Sequence, residues 1–173
     1  MKQSAGMAGL AGVLMLACAP ALDWRESRPT GSGVALLFPC KPDSLARQVQ
    51  LGPDAVRLEL HACTAAGATW ALAFADMGDP ARVGPALVEL RTSAAKNLGA
   101  SEPQSLPLKV EGATPNPASQ RVQFEGRMPD GRVVTEQVAV FAKGTRVFQV
   151  IALGERLDAE AADSFFSSLR LAP

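Results

Sequence analysis

Between Gln120 and Gly154 the chain reads "QRVQFEGRMPDGRVVTEQVAVFAKGTRVFQVIALG", three segments rich in apolar and β-branched residues separated by "MPDGR" and "AKGTR". Gly131 and Gly144 sit where a tight reversal asks for positive φ, which glycine adopts without a Cβ penalty. Turns this short fold each segment back beside the one before it. The stretch therefore predicts a meander of three antiparallel strands.

The pattern continues on both sides. Downstream, Asp158 is a helix cap for "AEAADSFFSSLRL", whose Ala162, Phe165 and Leu169, with Phe166 beside them, face a core. Upstream, "LPLKVEG" leads into "ATPNPAS", a loop set by two prolines. Before it comes a helix: Asp79 caps it, Pro80 suits its first position, and Gly99 after Leu98 stops it. Val83, Leu87, Leu90, Ala94 and Leu98 make one apolar stripe along it.

Earlier still, "TAAGATWALAFADM" supplies a turn and a strand with Trp70, Leu72 and Phe74 on one face and Ala71, Ala73 and Ala75 on the other. Apolar on both faces, it belongs in the middle of a sheet covered on both sides, and its alanine face admits a helix closely. "VRLELHAC" alternates Val56, Leu58, Leu60 and Ala62 with Arg57, Glu59, His61 and Cys63. A short strand at Gln48 to Leu51 precedes it, across the turn "GPD". Before that lies "GVALLFPCKP", an apolar strand stopped by Pro39 and Pro42. Strands, helix, strands, helix predict an α+β domain with a mostly antiparallel sheet and two helices.

The chain has 173 residues, enough for one domain, and 47% of them are hydrophobic. Seventeen basic and seventeen acidic residues balance, with no run of Lys or Arg. A nucleic-acid partner, which would call for a basic stripe, is not expected.

At the N-terminus, Lys2 and an apolar run from Met7 to Leu16 have the proportions of a signal peptide over residues 1–17, too short for a membrane span. Gly6, Gly9 and Gly12 disfavour the alternative of a buried helix. Two maturation routes follow. "MLAC" is similar to a bacterial lipobox, with Ala17 before a Cys18 that would carry lipid. Alternatively, Ala19-Pro20-Ala21 is a small-x-small site that would start the mature chain at Leu22. The short leader and the Cys directly after the apolar run favour lipidation, and Ala19 after Cys18 favours the outer membrane. Residues 18–32 then read as a tether and 33–173 as one domain, with a soluble periplasmic protein as the alternative.

Cysteine arithmetic fits both routes. With Cys18 lipidated or removed, Cys40 and Cys63 remain as a pair in an oxidising compartment, where a disulfide is expected; two unrelated thiols are the alternative. In a plain meander these residues would lie two strands apart, about 9.5 Å. A disulfide needs Cα atoms within about 7 Å. The bridge thus requires the first strand to pair beside the third, or slack in the loop.

Catalytic signatures are missing from the sequence: no GxSxG, HExxH, P-loop or GxGxxG. His61, the one histidine, reads as a solvated strand residue, and no metal or cofactor site is expected. Glu125, Asp130 and Glu136 lie in or next to exposed strand turns and would need burial to act as acid–base groups. Trp24 and Arg25 read as a partner epitope or, more simply, as a Trp packed on the domain edge.

"LLFPCKP", "WALAFADM", "PDGR" and "FFSSLRL", spread over nearly the whole mature chain, resemble a broad group of exported bacterial lipoproteins similar in fold to the PsbP extrinsic proteins of photosystem II. The group usually has "FPGKP" where this chain has Cys40 in place of Gly, consistent with a staple to Cys63. The resemblance implies an antiparallel sheet between helices, an α/β/α sandwich, and transfers no catalytic residues. The expected function is a non-catalytic envelope lipoprotein, held to the membrane by its lipid, whose domain binds a protein partner. The alternative is a small-molecule or lipid binder with a pocket between sheet and helix. An apolar cavity of a few hundred Å3 would mark the binder, and a filled core with an exposed apolar patch the partner module.

Overall fold

The computed structural model describes residues 22–100 and 102–172; the leader, Cys18 and the Ala19-Pro20-Ala21 site lie outside the described residues. Ten strands and two helices follow in chain order: β1 (Arg25–Ser27), β2 (Val34–Phe38), β3 (Asp43–Leu51), β4 (Asp54–Ala65), β5 (Ala68–Asp76), α1 (Pro80–Asn97), β6 (Gln104–Leu106), β7 (Gln120–Arg127), β8 (Val133–Lys143), β9 (Arg146–Gly154), α2 (Ala159–Ser167) and β10 (Arg170–Leu171). The class is α+β with antiparallel sheets.

The meander forms as β7–β8–β9, with Val122 opposite Val138, Phe141 opposite Phe148, and Gly131 and Gly144 at positive φ in the turns. A second meander, β3–β4–β5, joins it through β5 and β9, giving a seven-stranded sheet of order β3-β4-β5-β9-β8-β7-β6. α1 carries the chain from central β5 to the far edge at β6. Its ends are those the sequence marks: the Asp79 carboxylate accepts the Ala81 N–H at 2.8 Å, Pro80 opens the helix, and Gly99 follows at φ +52°.

Alternation along β5 divides the interior into two clusters. Ala73 and Ala75 face α1, joining Val83, Ala86, Leu87 and Leu90. Trp70, Leu72 and Phe74 face the other way, among Leu36 and Phe38 of β2 and Phe165 and Phe166 of α2. Helix α1 comes very close to β7: a Cβ on Gly126 would lie 2.6 Å from the Leu98 Cβ, and the Leu98 carbonyl accepts the Arg127 N–H at 2.8 Å. Only glycine fits there.

The opposite face holds what the sequence did not foretell. β2 pairs with β1 and β10 in a separate three-stranded sheet, with Arg25 opposite Phe38 and Leu171 opposite Val34. Part of the stretch read as a tether is therefore strand β1. Trp24, just before it, packs edge-on against Trp70 with ring centroids 6.3 Å apart. The cover on this face is mixed, a small sheet together with α2, rather than a helix alone. Beyond α2 the surface is tied by Arg121, whose guanidinium bonds Gln137 at 2.6 Å and Asp163 at 2.9 Å and lies 4.2 Å over the Phe166 ring.

Cys40 and Cys63 form a disulfide with Cα atoms 6.0 Å apart. The first strand does not pair beside the third. Instead Cys40 sits in the irregular stretch between β2 and β3, on the smaller sheet's side, and the bridge ties that layer to β4 beside Trp70. The loop supplies the slack.

Candidate functional site

The cavity between α1 and the sheet follows from a mismatch of widths. A helix with its side chains is about 10–12 Å across, while seven strands at about 4.8 Å spacing span nearly 30 Å. α1 packs mainly on β8 and β9. Over β3 and β4 the same face has no helix, and Val49, Leu60, Ile151 and Leu153 are left half-buried at the border of the core. The result is a cleft of about 500 Å3, open on one side, with strand residues as floor and Leu90, Ser93, Ala94, Asn97 and Leu98 as the helical wall. Ala73 at the centre of the floor keeps it deep. Gln149 on β9 donates to the Leu90 carbonyl at 2.9 Å and fixes the helix over the cleft.

Among these apolar walls lies one buried carboxyl. Glu136 is only 5% exposed, yet no hydrogen bond or ion pair joins it to any described residue. Its register neighbours are Phe124 on β7 and Leu153 on β9. Burial pushes its pKa up from the ordinary 4.5 to about 7. Arg47 on β3 is the other charged residue along the cleft and is exposed.

The sequence reading placed Glu136 near an exposed turn; the structure corrects this. The turn ends at Val133, and Glu136 shares the parity of Val134, Val138 and Val140 on a strand buried along most of its length. That shared parity was the available signal.

A raised carboxyl pKa makes stability pH-dependent with a definite sign. The folded state holds the proton more tightly than the unfolded chain, so Glu136's contribution is fully present below pH 4.5 and lost as pH rises through about 7. Glu136→Gln removes this loss. We expect the variant to match the wild type near pH 4.5 and to exceed it by about 1–3 kcal/mol at pH 8, read by urea denaturation at both pH values. His61, held below its ordinary value by burial, contributes the opposite slope, and comparing the two proteins cancels it.

His61 lies on the face the sequence assigned, opposite Leu58 and Leu60 and beside the exposed Arg57, but it is only partly solvated. The imidazole is half-buried and stacked on Phe74, 6.1 Å between centroids at 8°. Ser44 is its register partner on β3, and no hydrogen bond joins them. Glu125 and Asp130 are exposed, the latter paired with Arg132 at 2.8 Å. Among the described residues no three of His, Cys, Asp and Glu converge as metal ligands would. A second hollow of about 570 Å3, between the 108–119 loop and Phe141, opens more widely to solvent and carries only Lys109 as a charged wall residue.

No protein-family model matches the chain, and a search of curated proteins finds no significant relative. The site's own geometry carries the functional reading.

Proposed function

We propose that this protein is a non-catalytic binding module that holds a small apolar molecule in the cleft between α1 and the β3–β4–β9 surface. The observation that carries the reading is the cleft itself: about 500 Å3, mostly apolar, with one convergent buried polar group, within the size range of small-molecule sites. It corresponds to the sheet–helix pocket of the ligand-binding expectation. A protein-interaction module has less beneath it, because the large apolar side chains exposed among the described residues, Leu45, Val88 and Val133, sit on three different elements.

The setting we propose is the cell envelope, with Cys18 lipidated at the outer membrane and the domain facing the periplasm. The lipobox-like "MLAC" and the disulfide support it. A PsbP-like arrangement of the sheet between α1 and α2 is proposed on the same footing; its support is the separation of the two helices into the two core clusters.

Titration with N-phenyl-1-naphthylamine, a neutral apolar fluorophore, tests the binding reading. The wild type should bind it saturably at one site. Ser93→Trp, which plugs the cleft from a half-buried wall position, should weaken binding at least about tenfold. Equal affinity in both proteins, or no saturable binding, would contradict the proposal.

A further inference from the structure

The cleft's chemistry selects among apolar molecules. We infer that its occupant is a cationic amphiphile, an apolar body carrying a protonated amine that pairs with the Glu136 carboxylate. This inference rests on the binding reading above and goes one step further. A carboxyl buried to 5% exposure among Phe124, Leu153 and the α1 wall, with no partner among the described residues, is a polar group whose hydrogen-bonding capacity is unspent. Its oxygens reach the cleft, so whatever fills the cleft there, water or ligand, must satisfy them. None of the other polar residues along the cleft does so: Gln149 is committed to the Leu90 carbonyl, Ser93 donates to Glu89, Gln50 donates to the Gly52 carbonyl, and Arg47 and Asn97 are exposed.

An ammonium group reverses the balance. It supplies several donors and a positive charge to an ionised carboxylate, and a charge-assisted bond in a low-dielectric site is the strongest polar contact available there. A neutral alcohol offers one donor and no charge. A fatty carboxylate brings a second negative charge beside Glu136 and is disfavoured.

The pH dependence follows from the charged groups facing the cleft. Glu136 on β8 and Arg47 on β3 are those along its walls, and α1 contributes Leu90, Ser93, Ala94, Asn97 and Leu98, none titratable. Since burial holds Glu136 protonated up to about pH 7, amine affinity should rise as pH passes upward through that value. An alkylamine, with a pKa near that of lysine, stays charged throughout.

The test displaces bound N-phenyl-1-naphthylamine with decylamine, decanol or decanoate. At pH 8 decylamine should compete at least about tenfold better than decanol, and decanoate worst. At pH 5.5 the amine's advantage should shrink to within about threefold. Glu136→Gln should lose the amine's advantage over decanol at both pH values; Glu136→Asp, which keeps the charge, should retain a preference for the amine. Equal competition by amine and alcohol in the wild type, or an amine preference that survives in Glu136→Gln, would overturn the inference while leaving the apolar cleft intact. If no chain displaces the probe, or the probe does not bind, the binding reading falls with it.

Discussion

Trp70→Ala should lower the unfolding free energy by about 3–5 kcal/mol. Trp70 is 1% exposed on the central strand β5, so its removal opens a large void that the surrounding layers cannot close together. Its ring is an edge-to-face partner of Phe165 on α2, 5.2 Å between centroids, and of Trp24 in the N-terminal segment. Its indole N–H donates to the Ala65 carbonyl at 3.3 Å at the end of β4. One side chain thus holds α2, the N-terminal segment and the β4–β5 turn against the sheet. Urea denaturation should show the loss in the midpoint with the slope unchanged. A loss below about 1 kcal/mol would mean that the aromatic cluster is not packed as described.

Removing the disulfide should cost about 3 kcal/mol, by reduction or as the Cys40→Ala/Cys63→Ala pair. The bridge spans 23 residues, and opening a loop of that size restores freedom mainly to the unfolded chain. The folded state should survive, because β2 stays buried through Leu36 and Phe38 and paired to β1 and β10. Denaturation with and without reductant measures the effect. Intact masses differing by about two daltons on reduction establish the bridge in the isolated protein. The same spectrum shows where the mature chain starts: at an acylated Cys18 on the proposed lipoprotein route, or at Leu22 on the alternative. The two destabilisations should not add, since Cys63 is the register partner of Trp70 and both act on the same junction.

Elements whose signals are local were legible. The cap at Asp79, Pro80 at the first turn and Gly99 beyond the end bracket α1, and its stripe Val83, Leu87, Leu90, Ala94 and Leu98 is buried as a set. The two glycine turns set the β7–β8–β9 register, and the two-faced apolar pattern of β5 placed it inside the sheet. In α2 the inward Ala162, Phe165 and Phe166 are buried, as is Leu169 just beyond it, although the helix ends at Ser167 and Arg170–Leu171 form β10 rather than continuing it.

What was not legible depends on distant parts of the chain. β1 and β6 have three residues each, too few to show a period, and both exist because a neighbouring strand offers them a ladder. β2 reads as a strand, but no local pattern tells which sheet it joins. β3 runs from Asp43, five residues earlier than its apolar end suggests, because β4 pairs with it along its whole length. The cleft is likewise nonlocal, arising because one helix covers only part of a wide sheet. Glu136 was visible in the alternation of β8 and was outweighed by its nearness to the "PDGR" turn.

Methyl NMR on the full domain, titrated with decylamine at pH 8, locates where an apolar molecule binds. Binding in the α1–sheet cleft should give saturable shifts at the methyls of Leu60, Leu90, Ala94, Ile151 and Leu153, which line it, with Val34, Leu36 and Leu171 on the opposite face unmoved. Shifts centred on the opposite face, or no saturable shifts at all, would contradict it.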